Sequence, residues 1–210
     1  MGGLFVTLEG PDGSGKSTII RLLGEYLQDK NLDFITTREP GGTPIGEKIR
    51  ELILDVDNID MGNETEALLY AASRGQHIHE KIIPALEGNK IVLCDRFVLS
   101  SLAYQGVGRE LGIKNVKEIN DFALKGVYPD LILFFHVDPE VTLNRKIKEF
   151  EGDRLEKEGN IFHNRVYDGY MEILKEYPKN VKIIDATQTI EKVFQQSIKE
   201  IEKKLDSKEA

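Results

Sequence analysis

The sequence has only one cysteine and no apolar run long enough to cross a membrane. Cys94 is the single cysteine among 210 residues, so no disulfide can form within the chain, which suits a reducing compartment. Because it lies in the apolar run "IVLC", we expect Cys94 to be a buried packing residue. The start, "MGGLFVTLEG", lacks the basic and apolar parts of a signal peptide. No apolar stretch approaches the roughly 20 residues that span a bilayer. These absences predict a cytoplasmic protein with no membrane partner.

Basic charge is also in short supply. The formal net charge is −8, and 30% of the residues are charged. Nucleic acids and anionic membranes bind proteins through broad basic faces, so this balance argues against both as partners. A small anionic ligand stays possible, because it responds only to nearby arginines. With 40% hydrophobic residues, the composition is that of an ordinary globular protein, and the length predicts a single domain over residues 1–210.

Short apolar runs alternate with helical patterns along the chain. The runs at 91–94 and 131–135 are continuously apolar, which is typical of parallel strands covered on both faces. The alternation therefore predicts a doubly wound α/β fold with right-handed crossovers. The predicted strands are 4–10, 34–39, 90–96, 130–138 and 180–186. The predicted helices are 15–29, 44–55, 63–86, 115–125, 139–149, 160–176 and 190–204, and the tail after them is expected to fray.

Polar residues follow the apolar part of each predicted strand. Arginine and a carboxylate occur together at two of these ends, 38–39 and 95–96. In open parallel sheets the ligand crevice lies at the carboxyl edge, so we expect the site there. The polar residues concerned are Glu9, Arg38, Glu39, Asp95, Arg96, Asp138 and Asp185.

The segment "GPDGSGKS" at 10–17 matches the complete phosphate-loop pattern, between a predicted strand and a predicted helix. Glycines let backbone N–H groups turn toward phosphate oxygens, and the helix N-terminus adds its positive end. Lys16 is expected to bridge the β- and γ-phosphates, and Ser17 to ligate Mg²⁺. The loop thus predicts a site for a nucleoside triphosphate. Its binding residues are Gly10, Pro11, Asp12, Gly13, Ser14, Gly15, Lys16, Ser17 and Thr18.

The rest of the chain narrows the use of that triphosphate. A GTPase would carry an N-K-x-D motif, whereas the one "NK" pair, at 89–90, leads into a strand. A motor acting on DNA would usually be larger, more basic or built from repeats. A small kinase remains.

Two further segments are candidates for the acceptor site. In "NETEALLYAASRGQH" (63–77), Tyr70 and Arg74 share one helix face. Together they suit a planar base, because the tyrosine ring can stack on it and the guanidinium can donate hydrogen bonds to it. The alternative is a core tyrosine beside a solvated arginine. The same segment begins with a predicted capping box, Asn63 and Glu66. In "DRFVLSSLAYQG" (95–106), the amide of Gln105 can read a base edge.

By these motifs the chain resembles the thymidylate kinase (dTMP kinase) family. "EGPDGSGKST", "TREPGG", "LLYAASRGQH", "CDRF…SSLAYQG", "YPDL" and "LILFFHVDP" follow in the family's order over residues 4 to 185. The resemblance implies a three-layer P-loop kinase fold, with a five-stranded parallel sheet flanked by helices and a short mobile lid at about 145–162. It also implies a homodimer.

The resemblance assigns roles at the reacting end. Asp12 would approach the acceptor sugar and the reacting phosphates. Arg38 and Arg96 would hold the phosphate of dTMP, with Glu39 and Asp95 setting the local charge and the Mg²⁺ water shell. Arg50 would support the acceptor side. The acceptor-binding residues that the resemblance implies at this end are therefore Arg38, Glu39, Arg50, Asp95 and Arg96. The implied metal-binding residues are Ser17 and Asp95.

At the base end, Tyr70 stands where the family generally has a stacking Phe, so base preference is expected to be looser. Arg74 would bond a thymine carbonyl, with Ser101 and Gln105 on the base edge. Tyr104 would lie against the sugar, where a ribose 2′-hydroxyl would otherwise fit.

The lid is where the chain departs from the family. Asp153-Arg154-Leu155-Glu156 fits the D-R-x-E pattern, but residues 149–151 are acidic or aromatic where basic ones are common. Gly13 stands where one branch of the family has an arginine, so the resemblance favours the bacterial-type branch, with catalytic charge supplied by the lid. Arg154 is the first candidate, ahead of Arg145 and Arg165. The predicted catalytic residues are Asp12, Lys16, Arg96 and Arg154.

The reaction that the resemblance implies is ATP + dTMP → ADP + dTDP, with Mg²⁺. Two alternatives stay open from the sequence. One is a kinase for dUMP, UMP, CMP or a deoxynucleoside. The other is a nucleotide-sensing protein on the same fold, with a degraded lid.

Overall fold

The computed structural model describes residues 2–138, 153–176 and 180–209. Its centre is a five-stranded, all-parallel sheet with the strand order β2-β3-β1-β4-β5. The predicted fold class is confirmed, and each strand lies within the predicted range. The strands are β1 (Leu4–Glu9), β2 (Phe34–Arg38), β3 (Ile91–Asp95), β4 (Leu131–His136) and β5 (Val181–Asp185).

Helices cover both faces of the sheet. Within the described residues, no helix is both long and apolar enough to cross a bilayer. The helices are α1 (Lys16–Asp29), α2 (Pro44–Leu54), α3 (Asn63–His77), α4 (Ile83–Glu87), α5 (Val98–Ser101), α6 (Ile113–Leu124), α7 (Asn160–Glu176) and α8 (Ile190–Glu209). Two π-helical stretches, Ile78–Ile82 and Leu102–Gly108, continue α3 and α5.

Alternate residues of the central strand enter two different cores. Phe5 packs with the helices of 78–103 and with α7, whereas Leu4 and Val6 pack with α1 and α8. Side chains of successive strand residues point to opposite faces, so a strand buried on both faces is apolar at most of its positions. This is why the continuous apolar runs predicted the covered sheet correctly.

Two local predictions were wrong, and a third, the helix at 63–86, was right in its extent but not in its geometry throughout. The helix predicted at 63–86 changes to π geometry at Ile78, and α4 follows it. The capping box fails because α3 has Gly62 as its N-cap and no side-chain cap, and Asn63 instead donates to the carbonyl of Arg109. The tail is helical to Glu209, with the Lys208 ammonium donating to the carbonyl of Gly3. The helix predicted at 139–149 lies outside the described residues.

The stretch 98–108, which was not predicted to be helical, is held from outside by α7. Gly169 of α7 faces Val107, and a Cβ added at Gly169 would lie 2.8 Å from the Cβ of Val107. Since no real Cβ contact is that short, only glycine allows α7 to approach the π-helical stretch this closely. The same approach brings Phe162 and Tyr170 of α7 edge-on against the ring of Tyr104.

Replacing this glycine tests the packing. We expect Gly169→Ala to destabilise the protein by about 1–2 kcal/mol, because overpacking outweighs the gain in helix propensity. The matched control is Gly75→Ala in α3, whose added methyl would meet nothing nearer than Ala123 Cβ at 3.8 Å. It should stabilise the protein by about 0.5–1 kcal/mol. Denaturant unfolding measures both, and equal stabilities would contradict the close packing.

Candidate active site

The phosphate loop joins β1 to α1 with three left-handed glycines. Gly10, Gly13 and Gly15 have φ values of 138°, 76° and 91°. A side chain at Gly10 would also lie 2.7 Å from the carbonyl of Phe135. These positions favour glycine on conformation, and Gly10 on space as well. The loop therefore leads into the N-terminus of α1, where backbone N–H groups attract anions.

Lys16 is folded back into this loop. Its side chain is buried, and its ammonium donates to the carbonyls of Gly10 (3.1 Å) and Pro11 (2.8 Å) and to the hydroxyl of Ser14 (3.3 Å). Burial, with the nearby charge of Arg96, lowers the pKa of Lys16 to about 8. A positive charge held at that cost is stabilised by any anion that enters the loop.

Ser17 and Asp95 meet at the mouth of the loop. The Ser17 hydroxyl donates to Asp95 Oδ2 over 3.1 Å. The other oxygen, Asp95 Oδ1, is buried and has no hydrogen-bond partner among the described residues. Mg²⁺ in nucleotide sites takes one or two protein oxygens and completes its shell with water and phosphates. An orphan carboxylate oxygen beside a hydroxyl fits that requirement.

Arg96 connects the phosphate loop with the acceptor side. It has a φ of 65°, in the left-handed region, which is uncommon for a residue other than glycine and is found at functional sites. Cys94, buried as expected, donates to the Arg96 carbonyl over 3.1 Å. The Arg96 guanidinium donates to Gly10 O (3.0 Å), Ser100 Oγ (3.0 Å), Tyr170 Oη (3.2 Å), Asp12 Oδ1 (2.5 Å) and Tyr104 Oη (3.3 Å).

A polar cavity opens next to Arg96. Asp12 lies between the loop and this cavity, and it accepts hydrogen bonds from both Arg96 and Tyr104. The walls of the cavity come from the 38–50 turn, α3, the 96–105 helix and the segment after residue 152. The lining residues are Asp12, Glu39, Pro40, Arg50, Leu54, Tyr70, Arg74, Arg96, Phe97, Ser100, Ser101, Tyr104, Gln105, Asp153, Leu155 and Glu156.

Arg74 is fixed at the far end of the cavity. It is only 1% exposed, which rules out the solvated arginine considered above. Its guanidinium donates to Glu39 Oε2 (2.7 Å), Ser101 Oγ (3.0 Å) and Asn120 Oδ1. His77 holds the other oxygen of Glu39 at 2.9 Å. The donor group of Arg74 therefore has a fixed direction before any ligand binds.

Two predicted site arginines lie elsewhere. Arg38 is half exposed, pairs with Glu47 at 2.8 Å and is not among the cavity residues. Arg154 is buried outside the cavity lining, and it donates to the Ile53 carbonyl (2.8 Å) and to Glu66 Oε2 (2.6 Å). Of the reserve candidates, Arg165 pairs with Glu110 at 2.7 Å, and Arg145 lies outside the described residues.

Sequence reasoning overlooked several residues that hold the site. Glu9 was noted only as a polar strand end, yet its buried carboxylate accepts from Phe97 N (2.9 Å) and Ser100 Oγ (2.5 Å). Tyr170 of α7 reaches Ser100 Oγ at 2.9 Å. The sequence pattern assigns Glu66 only to the capping box, whereas its buried carboxylate pairs with Arg109 and Arg154. The sequence does contain an indication of the role of Glu9, because a charged residue at the end of a mostly apolar strand needs hydrogen-bond partners if it is buried.

Several known proteins are similar to this chain over most of its length. A sequence model of the family described as Thymidylate kinase matches residues 8–197. The thymidylate kinase of Finegoldia magna is 64% identical over 201 residues, which cover 96% of this chain and 98% of that protein. The one from Clostridium novyi is 50% identical over 196 residues, covering 92% and 96%. The crystal structure of thymidylate kinase from Ehrlichia chaffeensis superposes with a TM-score of 0.77 at 34% identity, covering 96% and 99%.

The fold and these matches define an α/β phosphotransferase, and its candidate site lies at the carboxyl edge of a parallel sheet. Within that class, the chain belongs to the thymidylate kinase family.

The lowered pKa of Lys16 predicts that nucleotide binding depends on pH. Lys16 is protonated below its pKa of about 8 and becomes neutral above it. Phosphate charge favours the protonated form, so the affinity for ATP should fall as pH rises from 7 to 9.5, by up to about tenfold per unit above the pKa. Titration calorimetry over this range measures the effect. Lys16→Ala should bind more weakly with little pH dependence, and a pH-independent affinity in the unaltered protein would contradict the assignment.

Proposed function

We propose that this protein transfers the γ-phosphoryl group of ATP to dTMP, giving ADP and dTDP. The observation that carries the proposal is the contact of Arg96 with Asp12, which joins a triphosphate loop to a cavity suited to an acceptor. A phosphate on the acceptor would meet Arg96 at one end, while a planar base would meet Arg74 and Tyr70 at the other. Membership of the thymidylate kinase family supports the same substrate pair.

In this proposal, positioning and charge carry the catalysis. An oxygen of the dTMP phosphate attacks the γ-phosphorus, and the bond between that phosphorus and the β–γ bridging oxygen breaks, leaving its electrons on ADP. The attacking phosphate is already anionic at neutral pH, so no strong base is needed. Lys16 and Arg96 hold the negative charge on either side of the transferred group, and burial strengthens their effect. Asp12, released from Arg96 by the acceptor phosphate, would turn toward the sugar.

Mg²⁺ belongs to the proposal as the partner of Ser17 and Asp95, where it would neutralise phosphate charge. The protein is further proposed to act as a homodimer of single-domain subunits, each with its lid at 145–162, in the cytoplasm. The one cysteine, buried as a thiol, suits that compartment.

The lid arginine stays a prediction. A catalytic role for Arg154 requires its guanidinium to leave Glu66 and the Ile53 carbonyl. The geometry instead favours a supporting role, since the Arg154 backbone N–H donates to the Leu54 carbonyl and its neighbours Asp153 and Leu155 line the cavity.

The acceptor is tested with a panel of monophosphates. ADP release is measured with dTMP, dUMP, dCMP and UMP at saturating ATP. We expect dTMP to give the highest kcat/KM and UMP to be poor, because Tyr104, which lines the cavity and is 7% exposed, would leave no room for a ribose 2′-hydroxyl. Preference for UMP would overturn the proposed acceptor, and no ADP release with any of them would favour a binding protein.

Removing Arg96 tests the reacting end. We expect Arg96→Ala to lower kcat by about 10²–10³-fold, since it deletes the charge between the two phosphates. Arg38→Ala is the matched control, because this arginine is paired with Glu47 outside the cavity. It should lower kcat by less than about tenfold, in the range of a surface ion pair. Comparable losses of kcat in the two variants would indicate that Arg38 also binds the acceptor phosphate. Near-normal turnover of Arg96→Ala would refute the proposed site. Circular dichroism checks that both variants are folded.

A further inference from the structure

Glu66, on the first turn of α3, is a fully buried carboxylate with an unusual set of donors. Its exposure is 0%, and it does not line the cavity. Arg109 approaches both oxygens, through Nε to Oε1 (3.2 Å) and through Nη2 to Oε2 (3.1 Å). Arg154 adds a bond of 2.6 Å to Oε2. The remaining donor is the side-chain amide of Gln105, whose Nε2 lies 2.9 Å from Oε1.

This last contact determines which way the Gln105 amide faces. An ionised carboxylate only accepts hydrogen bonds, so it can face the NH₂ end of an amide but not the carbonyl end. Glu66 forms ion pairs with two arginines, Arg109 and Arg154. Gln105 is 1% exposed and lines the cavity, and its Oε1 has no partner among the described residues. A buried carbonyl oxygen without a partner is a place where a ligand donor gains most.

The cavity therefore presents a fixed pattern at its base end. Arg74 can only donate, and Gln105, held by Glu66, can only accept through the oxygen that remains. Thymine and uracil carry a carbonyl at C4 and an N–H at N3, which match a donor beside an acceptor. Cytosine carries an amino group at C4 and a bare N3, so it opposes both.

We propose that Glu66 is a positioning residue for base selection. By holding the NH₂ of Gln105, it presents the amide oxygen to the N3–H of thymine or uracil and excludes cytosine, without touching the substrate itself. This inference rests on the proposed function and assigns its specificity to a residue outside the cavity.

The substitution Glu66→Gln tests it because the side chain keeps its size. The new amide oxygen is expected at the Oε2 position, where Arg154 and Arg109 Nη2 both donate, which leaves its NH₂ facing Gln105 and the weaker donor Arg109 Nε. The amide of Gln105 then has to flip and present its own NH₂ to the cavity. A donor instead of an acceptor would then face N3 of the base. We expect kcat/KM to fall at least about tenfold for dTMP and for dUMP alike, and to stay level or rise for dCMP.

Two variants serve as controls. Glu158→Gln removes the other carboxylate that contacts Arg109, at 2.5 Å, but leaves the amide of Gln105 untouched. It should keep the ratio of dTMP to dCMP activity. Glu66→Asp keeps a group that only accepts, so it should retain the ratio even where its stability or turnover falls.

The outcomes separate the two proposals. Lack of dTMP activity in the unaltered protein refutes the proposed function. Normal activity there, with the same dTMP to dCMP ratio in Glu66→Gln, overturns the role of Glu66 alone. A ratio lost equally in Glu158→Gln would also overturn it, because charge rather than amide orientation would then be responsible.

If Glu66→Gln does not fold, the unaltered protein still decides the point. Side-chain ¹H–¹⁵N spectra, with the Gln105 resonance assigned by Gln105→Leu, report solvent exchange of the NH₂. We expect slow exchange both with and without dTMP, because the NH₂ stays on Glu66. Fast exchange without dTMP would overturn the proposal.

Discussion

A single buried carboxylate, that of Glu9, holds the two halves of the site together. It ends the central strand and accepts hydrogen bonds from Phe97 N and from the hydroxyl and N–H of Ser100. Burial raises its pKa, and the bond from Ser100 and the charge of Arg96 act against that rise. A buried carboxylate must find donors, and here the start of the 97–101 helix supplies them. The left-handed turn at Arg96 follows from this anchoring, and Arg96 then lies over the phosphate loop.

Positive and negative side chains alternate from the phosphate loop to the cavity. Lys16 lies inside the loop, Asp12 and Asp95 at its mouth, and Arg96 between the loop and the cavity. Arg96 is paired with Asp12, and Lys16 donates to two carbonyls and a hydroxyl, so both cations have partners before substrate enters. The same pairing sets the donor and acceptor groups in direction, which reduces reorganisation when phosphates replace the carboxylates. The base end uses the same means, with Glu39 directing Arg74.

Much of the fold was accessible from local pattern. Apolar runs predicted all five strands, and those of β3 and β4 are continuously apolar because both faces of these strands are buried. The helix at 98–108 was missed, since nearly all of its residues are buried and its π-helical part has no 3.6-residue stripe. The cap at Asn63 failed because Glu66 has stronger donors than a backbone N–H, namely the arginines at 109 and 154. Tertiary charge pairing outweighed a local motif.

The sequence by itself determined the phosphate loop, the sheet and the membership of the chain in its family, because these depend on backbone conformation, strand periodicity and motif order. It also named most of the residues that line the cavity. Only the tertiary structure decided which carboxylate each arginine meets. Arg154 meets Glu66, 88 positions away, and Arg74 meets Glu39, 35 positions away. An arginine has several possible partners along a chain with 36 acidic residues, and only packing brings one within 3 Å and keeps the others in water.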